Sequence, residues 1–336
     1  MTTFAEPPPS SAVDDSCQSI SEIIYTHFDS HQRDSSNNNK NVSRAAEAMH
    51  HDILSFVLSH NNNDGGKDGM TQEEISKELA TAVTNCMDAA MSMIATTPPS
   101  KKDSWSEAVT STLQLAAAYS TSSGKDEVLA RTVITRAIEY LSVERDTIRI
   151  ESCHLLGACV RYLMESSKPA ASILKKKGGS TMNKNTNNTA NRVNETAGWK
   201  MECLIDIGKA MVPRLTDKIA KVRSAAISAT AHFFTNGAKK AVVIADSKDY
   251  EKTMNSIQNT LLWIMSNDSS APNRALVAII SGRVSEETIP HLIERVKDVD
   301  VKVREAALDA LRVNVSLDDL TEDQRVEILR YGLTKR

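Results

Sequence analysis

The segment from Thr288 to Asn314 constrains the fold most, because it predicts two short amphipathic helices joined by a tight acidic turn. In its first half, apolar residues recur at steps of three and four, which places them on one face of a helix. Asp298-Val-Asp300 interrupts this pattern, and a second apolar stripe follows. Neither helix can bury its stripe alone, so each needs neighbours on both sides. This requirement is typical of a helical hairpin stacked within a solenoid.

The composition of the chain also favours helices over sheets. Aromatic residues make up 4% of the 336 residues, and there are 12 glycines and 9 prolines. The apolar runs consist largely of small aliphatic side chains, whereas sheets are enriched in aromatic and β-branched residues. The formal net charge is −3, so a surface that binds nucleic acid would have to be a local basic patch.

The sequence contains no pattern for a metal site, a cofactor site or a disulfide framework. Its cysteines are odd in number and scattered without a CxxC pair. We expect Cys153 and Cys159 to pack as small hydrophobic residues. No apolar run reaches the ~18 residues of a membrane span, and the N-terminus lacks a basic-then-apolar signal peptide. We therefore predict a soluble, intracellular protein without a cofactor. The five cysteines are Cys17, Cys86, Cys153, Cys159 and Cys203.

Four regions can be distinguished along the chain. Residues 1–15 are rich in Pro and Ser, which predicts a disordered N-terminus, and residues 16–166 carry the periodic patterns of N-terminal helical hairpins. Residues 167–195 are poor in apolar side chains and rich in Asn, Thr, Lys and Gly, which predicts a disordered basic insertion. A solvated linker and a phosphate-contacting loop both remain open for that insertion. Residues 196–336 predict regular repeats, with the array cut short at the C-terminus.

An aspartate and an arginine recur six positions apart in three of the predicted hairpins. The aspartate ends one helix, where it can cap the start of the next. The arginine falls in the first turn of the second helix, from which its guanidinium can reach the aspartate of its own or an adjacent hairpin. We predict a structural ladder that fixes the stacking angle. The pairs are Asp217 and Arg223, Asp268 and Arg274, and Asp298 and Arg304.

Several stretches resemble a known family of repeats. A proline in the first helix, an aspartate between the helices and Val-Arg opening the second helix resemble HEAT repeats, as in Pro213, Asp217 and Val222-Arg223. Arg149 departs from the pattern, because Val143 stands where the acid is expected. More narrowly, five stretches resemble the condensin complex subunit 3 (CAP-G) family: IEYLSVERDTIRIESCHLL (138–156), LTDKIAKVRSAAISA (215–229), IMSNDSSAPNRALVAII (264–280), IPHLIERVKDVDVKVREAALDAL (289–311) and TEDQRVEILRYGLTKR (321–336).

The resemblance implies an all-α fold, an α-solenoid of HEAT-like helical hairpins (an ARM/HEAT superhelix). Because members of that family are much longer, it also implies that this chain is an N-terminal part of the array or an incomplete gene model. The implied function is that of a non-catalytic condensin subunit in mitotic chromosome condensation. Such a subunit binds the kleisin subunit, through it the SMC subunits, and double-stranded DNA without sequence specificity. The implied location is the nucleus and condensed chromosomes, with the cytoplasm in interphase.

Five lysines near the predicted hairpin turns are candidates for contacting DNA. A protein that holds a duplex by its shape needs only cations facing phosphates, without base-reading motifs. Side chains close to the turns project from the edge of a solenoid, where they could line a groove. The alternative, that each lysine is a solvated charge among the 43 acids, stays open. The candidates are Lys218, Lys221, Lys239, Lys240 and Lys302.

Two other classes of function are weighed against this interpretation. Another HEAT scaffold, such as a transport adaptor or a phosphatase regulatory subunit, would bind proteins but not DNA. An enzyme would need ionisable groups that converge in a pocket. His154, His232 and His291 are isolated in the sequence, and no HExxH spacing occurs. We therefore predict that the chain has no catalytic activity.

Overall fold

The computed structural model describes residues 19–33, 48–49, 51–53, 55, 71–96, 103–122, 127–165, 187–234, 247–281 and 286–332. Within these ranges every regular element is helical, which confirms the predicted all-α class. Short 3-10 helices span Ala231–Phe234, Glu286–Thr288 and Leu317–Asp319. The α-helices are α1 (Ile20–Arg33), α2 (Gln72–Thr96), α3 (Asp103–Ser122), α4 (Glu127–Tyr140), α5 (Asp146–Glu165), α6 (Asn187–Leu215), α7 (Ala220–Thr230), α8 (Lys248–Asn267), α9 (Ala271–Ser281), α10 (Ile289–Arg295), α11 (Val301–Asn314) and α12 (Glu322–Gly332).

From α2 onward the helices pair into hairpins that stack in chain order. The first helices, α2, α4, α6, α8 and α10, each pack against the next first helix, and α10 packs against α12 in the same way. The second helices, α3, α5, α7, α9 and α11, form a parallel row. This arrangement buries apolar side chains of the helices from α2 to α11 between two layers, which confirms the predicted solenoid of helical hairpins.

Small residues let the second helices approach one another closely. A Cβ built on Gly157 in α5 would lie 2.9 Å from the Cα of Ala229 in α7, a distance that no side chain tolerates without backbone movement. Cys153 and Cys159, also in α5, are fully buried, which confirms their predicted packing role. Burial raises the pKa of both thiols to about 12, so both stay protonated and unreactive at neutral pH.

Helix boundaries follow local signals in most places. A capping box begins α2, because the Thr71 amide donates to the Glu74 carboxylate at 2.8 Å and the Glu74 amide donates back to the Thr71 hydroxyl at 3.3 Å. The predicted basic insertion extends to residue 195, whereas α6 already begins at Asn187. Extending a formed helix by one residue costs little even for Asn and Thr. Residues 1–15 and 167–186 lie outside the described ranges.

Candidate functional site

The candidate site is one edge of the solenoid, which we call the turn edge. It consists of the links between the first and second helices of four hairpins, together with the first turn of each second helix. The links are residues 141–145, 216–219, 268–270 and 296–300. Because the hairpins stack in one direction, these links follow one another along a single side. The predicted ladder residues, and those predicted lysines that are described, lie on this edge.

Each predicted ladder aspartate is buried and stabilises the chain turn in its own link. Asp217, Asp268 and Asp298 are 9%, 5% and 8% exposed. One carboxylate oxygen of each accepts the backbone N–H two residues further on, at 3.0, 2.7 and 3.0 Å. This turn satisfies backbone donors that precede the second helix. The cap of α11 itself is Asp300, whose side chain accepts from the amides of Lys302 and Val303.

Three arginines each bind the aspartate of the following hairpin through two parallel hydrogen bonds. In each pair Nε and Nη2 of the guanidinium donate to the two carboxylate oxygens, the geometry that suits Arg better than Lys. Both side chains of every pair are at most 13% exposed. The pairs are Arg149 with Asp217 (3.1 and 3.4 Å), Arg223 with Asp268 (2.7 and 2.7 Å), and Arg274 with Asp298 (2.9 and 2.7 Å).

The third nitrogen of the same arginines holds their own hairpin. Nη1 of Arg223 donates to the backbone carbonyl of Asp217 at 2.8 Å, and Nη1 of Arg274 donates to that of Asp268 at 2.7 Å. Nη1 of Arg149 donates to the carbonyl of Val143 at 2.9 Å. The contact within a hairpin therefore needs only a backbone oxygen, so an apolar residue is tolerated at position 143. Each guanidinium thus links its own turn to the next one.

A second set of donors on these aspartates was not singled out from the sequence. Arg214 and Arg295 each stand three residues before a ladder aspartate, so an Arg-x-x-Asp spacing could have revealed them. Their Nη1 atoms donate to Asp217 at 3.1 Å and to Asp298 at 3.3 Å. Asp268 lacks such an arginine and accepts instead from Asn273 Nδ2 at 3.3 Å. Each of these three donor side chains also donates to a backbone carbonyl of the preceding hairpin: Arg214 to Leu141, Asn273 to Ala220 and Arg295 to Ser266.

Two of the ladder carboxylates, those of Asp268 and Asp298, stay ionised despite their burial. Burial alone would raise the pKa of Asp268 and of Asp298, but hydrogen bonds outweigh it and lower both pKa values below the usual range. For Asp268 these bonds come from Arg223, the Ser270 amide and Asn273. The hydrogen bond to Asp268 in turn raises the pKa of Arg223. The carboxylates of Asp268 and Asp298 and the guanidinium groups that bind them therefore neutralise one another at neutral pH. We call each such Arg–Asp pair of the ladder a rung.

This arrangement predicts a loss of stability in acid. Because the folded-state pKa of Asp268 lies below its unfolded value of about 3.9, the stabilisation is complete above that value and disappears as pH falls through the folded-state pKa. Urea unfolding between pH 7 and pH 2.5 measures it. Asp268→Asn should remove part of the pH dependence below pH 4. Asp309→Asn, at an exposed pair, should leave it unchanged, and equal slopes for the two variants would contradict this prediction.

The structure describes three of the five lysines that were predicted to contact phosphates. Lys218, Lys221 and Lys302 are exposed on the turn edge, and none has an acid within 4 Å among the described residues. Lys221 lies on α7 and Lys302 lies on α11, and these helices are two steps apart in the row of second helices. That separation corresponds to roughly 16–20 Å at ordinary helix spacing. Such a distance suits separate phosphates along a duplex. Lys239 and Lys240 lie outside the described residues.

Away from the turn edge, the described residues contain little that could support metal chemistry. They include no group of three or more His, Cys, Asp or Glu able to hold a metal ion, and no helix long and apolar enough to cross a membrane. His154 and His232, isolated in the sequence, line one cavity of about 160 Å³ between α3, α5 and α7. His154 Nδ1 lies 3.3 Å from Glu151. His291 lies on α10, apart from them.

Three known proteins share sequence similarity with this chain. Human condensin complex subunit 3 is 34% identical over 131 residues, which is 39% of this chain. The subunit from Schizosaccharomyces pombe is 35% identical over 100 residues, 28% of this chain. That from Xenopus laevis is 30% identical over 131 residues, 39% of this chain. They relate this chain to condensin complex subunit 3.

The similarity to condensin complex subunit 3 is partial. The matched stretch covers 11% of the length of each of these relatives, so their names describe proteins much longer than this chain. No protein-family model matches the chain. The crystal structure of an engineered protein aligns with 78% of this chain at 14% identity, with a TM-score of 0.34, which is too low to carry an argument.

Proposed function

We propose that this chain acts as a non-catalytic, HEAT-type scaffold subunit of a condensin complex. The observation that carries the proposal is the similarity to condensin complex subunit 3 from three organisms. In this role it binds the kleisin subunit and, through it, the SMC subunits. It also binds double-stranded DNA without sequence specificity, in the nucleus and on condensed chromosomes, with a cytoplasmic pool in interphase.

The turn edge supports the DNA-binding part of this proposal. Neutral, buried rungs between Arg149, Arg223, Arg274 and their aspartates stiffen the edge without adding charge to it. The exposed cations beside the rungs, Lys218 and Lys221, can then face phosphates at fixed positions. Phosphate contacts of this kind position a duplex but carry no base information. The surface of the stacked hairpins leaves a long path for an extended kleisin segment.

Removing the turn-edge lysines is expected to weaken DNA binding. Lys218→Ala, Lys221→Ala and Lys302→Ala combined should reduce the slope of log affinity against log salt by up to about 3, since each lost phosphate contact contributes about 0.9. Fluorescence anisotropy of a labelled 30-base-pair duplex between 50 and 200 mM salt measures the slope. The matched control removes three exposed lysines from α6 and α8, namely Lys209, Lys248 and Lys252, and should change the slope much less.

Two results would count against this role of the turn edge. If both triple variants lose the same affinity, binding follows net charge and not the turn edge. If the folded wild-type chain fails to bind duplex DNA even at 50 mM salt, the chain fits the alternative of a HEAT scaffold that binds proteins only. Circular dichroism of each variant establishes that the loss of binding does not reflect unfolding.

A further inference from the structure

The cavity of about 160 Å³ between α3, α5 and α7 follows one stripe of α5. Glu151, His154, Ala158 and Arg161 all line it, and they succeed one another at steps of three and four residues, so they share one face of the helix. Gly157 also lines it, at the close contact between α5 and α7. Ten residues separate Glu151 from Arg161, which is about 15 Å at the rise of an α-helix. We call this cavity the α5 groove.

At one end of the α5 groove, the guanidinium of Arg161 has unused donors. Its Nε is buried without a hydrogen-bond partner, and no acid of the described ranges lies within 4 Å of the guanidinium. The guanidinium carbon lies over the ring of Tyr162, 4.8 Å from the ring centre, a contact that restrains the planar group. Because a buried donor without a partner is unfavourable, this end favours a ligand that supplies an acceptor.

At the other end, the carboxylate of Glu151 has unused acceptor capacity. The residue is 8% exposed, so water reaches it poorly. Within the part of the chain that the structure describes, its one side-chain partner is His154, whose Nδ1 lies 3.3 Å away. A carboxylate can accept about four hydrogen bonds. This end therefore favours a ligand that supplies a cation.

The walls of the α5 groove carry side chains that can bond a peptide backbone. On α3, Thr110 and Gln114 form no hydrogen bond with any described residue. On α7, the Ser228 hydroxyl donates to the carbonyl of Ser224 at 3.0 Å and keeps its own oxygen as an acceptor. An extended segment has N–H and C=O groups for such side chains to bond, whereas a helix satisfies its own.

The dimensions and charges of the α5 groove define its ligand further. An extended chain advances about 3.3 Å per residue, so four or five residues span the distance between Glu151 and Arg161. The buried carboxylate of Glu151 disfavours the polyanionic backbone of a nucleic acid, which calls for several cations and no acid. A peptide with charges of both signs matches both ends.

We propose that the α5 groove binds a short extended segment of a partner protein that carries an acidic and a basic residue four or five positions apart. The acidic side chain accepts hydrogen bonds from the guanidinium of Arg161, and the basic side chain contacts Glu151. The backbone between them bonds to Thr110, Gln114 and Ser228. This site is separate from the turn-edge lysines, and it does not depend on which complex the chain joins.

Selection of random 12-residue peptides displayed on phage, against the full 336-residue protein, tests the proposed specificity. The wild-type chain is expected to enrich peptides with an acid and a base four or five positions apart. Arg161→Glu should replace the required acid by Lys or Arg, because it reverses the charge at that end. Arg312→Glu, at an exposed pair on α11, should enrich the same peptides as the wild type. Identical selections by Arg161→Glu and the wild type, or no enrichment of the charged pair, would overturn the proposal.

A synthetic peptide with the enriched sequence gives the quantitative test. Replacing its acid by the corresponding amide should weaken binding to the wild-type chain about tenfold, a comparison that needs no variant of the protein. Arg161→Met should abolish that difference. Because Arg161 has no acceptor in the described chain, Arg161→Met should not lower the thermal midpoint, and it should leave the affinity for duplex DNA unchanged. Equal binding of the two peptides to the wild type, or displacement of the peptide by a duplex, would contradict the assignment.

Discussion

Replacing Arg223 with alanine is expected to destabilise the protein by about 3–5 kcal/mol, the range for breaking a buried ion pair by removing one partner. Asp268 is 5% exposed and would be left with a buried charge whose main donors are gone. The same guanidinium also holds the carbonyl of Asp217, so two successive turns lose a contact. Urea unfolding monitored by circular dichroism measures the loss. Hydrogen exchange should show increased opening from α7 to α9.

The control for this prediction distinguishes the loss of an exposed arginine from the loss of a buried ion pair. Arg312→Ala removes an arginine whose pair with Asp309 is about 70% exposed on both sides, and should cost at most about 0.5 kcal/mol. In a double-mutant cycle, Arg223→Met combined with Asp268→Leu should be less harmful than the sum of the single changes, since no unpaired charge remains. Additive losses would show that the two side chains do not interact, and would contradict the ladder.

Replacing Gly157 with leucine is expected to cost about 3 kcal/mol, at the upper end of the usual range for overpacking. A side chain at this position meets the backbone of Ala229 at 2.9 Å, and backbone cannot rotate away as a side-chain tip can. The change therefore pushes α5 and α7 apart, which also strains the rung between Arg149 and Asp217. Thermal unfolding measures the loss.

Gly198→Leu is the matched control for this prediction. Gly198 also lies within a helix, but it is exposed and a Cβ there meets nothing within 4 Å. Leucine should therefore stabilise the helix by up to about 1 kcal/mol through its higher propensity. The two variants are expected to shift the unfolding midpoint in opposite directions. Similar shifts of the same sign would contradict a close contact between α5 and α7.

The sequence predicted the repeat unit better than it predicted the contacts between units. The spacing of Asp217 and Arg223 was visible, but spacing alone cannot show which neighbouring turn a guanidinium faces, so the partner remained open. Asn273 could not be anticipated from the sequence. At Asp268 its side-chain amide, which comes from the second helix, takes the role that an arginine of the first helix has at Asp217 and Asp298. Arg149 was noted as an exception, since the sequence does not show that its own turn contributes only a carbonyl oxygen.

The division of roles among basic residues also required the structure. Arg304 and Lys302 are two positions apart in the sequence, yet one is held by the carbonyls of its link and the other is exposed to solvent. Periodicity places both near the start of α11 but does not show which nitrogen atoms are already used. The start of α6 at Asn187 was missed because composition describes average propensity, whereas a formed helix can extend into a polar stretch.

Affinity purification of the full-length protein from mitotic cells, followed by quantitative mass spectrometry, tests the central claim most directly. The account predicts that a kleisin subunit and a pair of SMC subunits co-purify in amounts comparable with the tagged chain, and that they remain after nuclease treatment. Recovery of vesicle-coat or phosphatase subunits without any kleisin would contradict it and would favour a scaffold of another system.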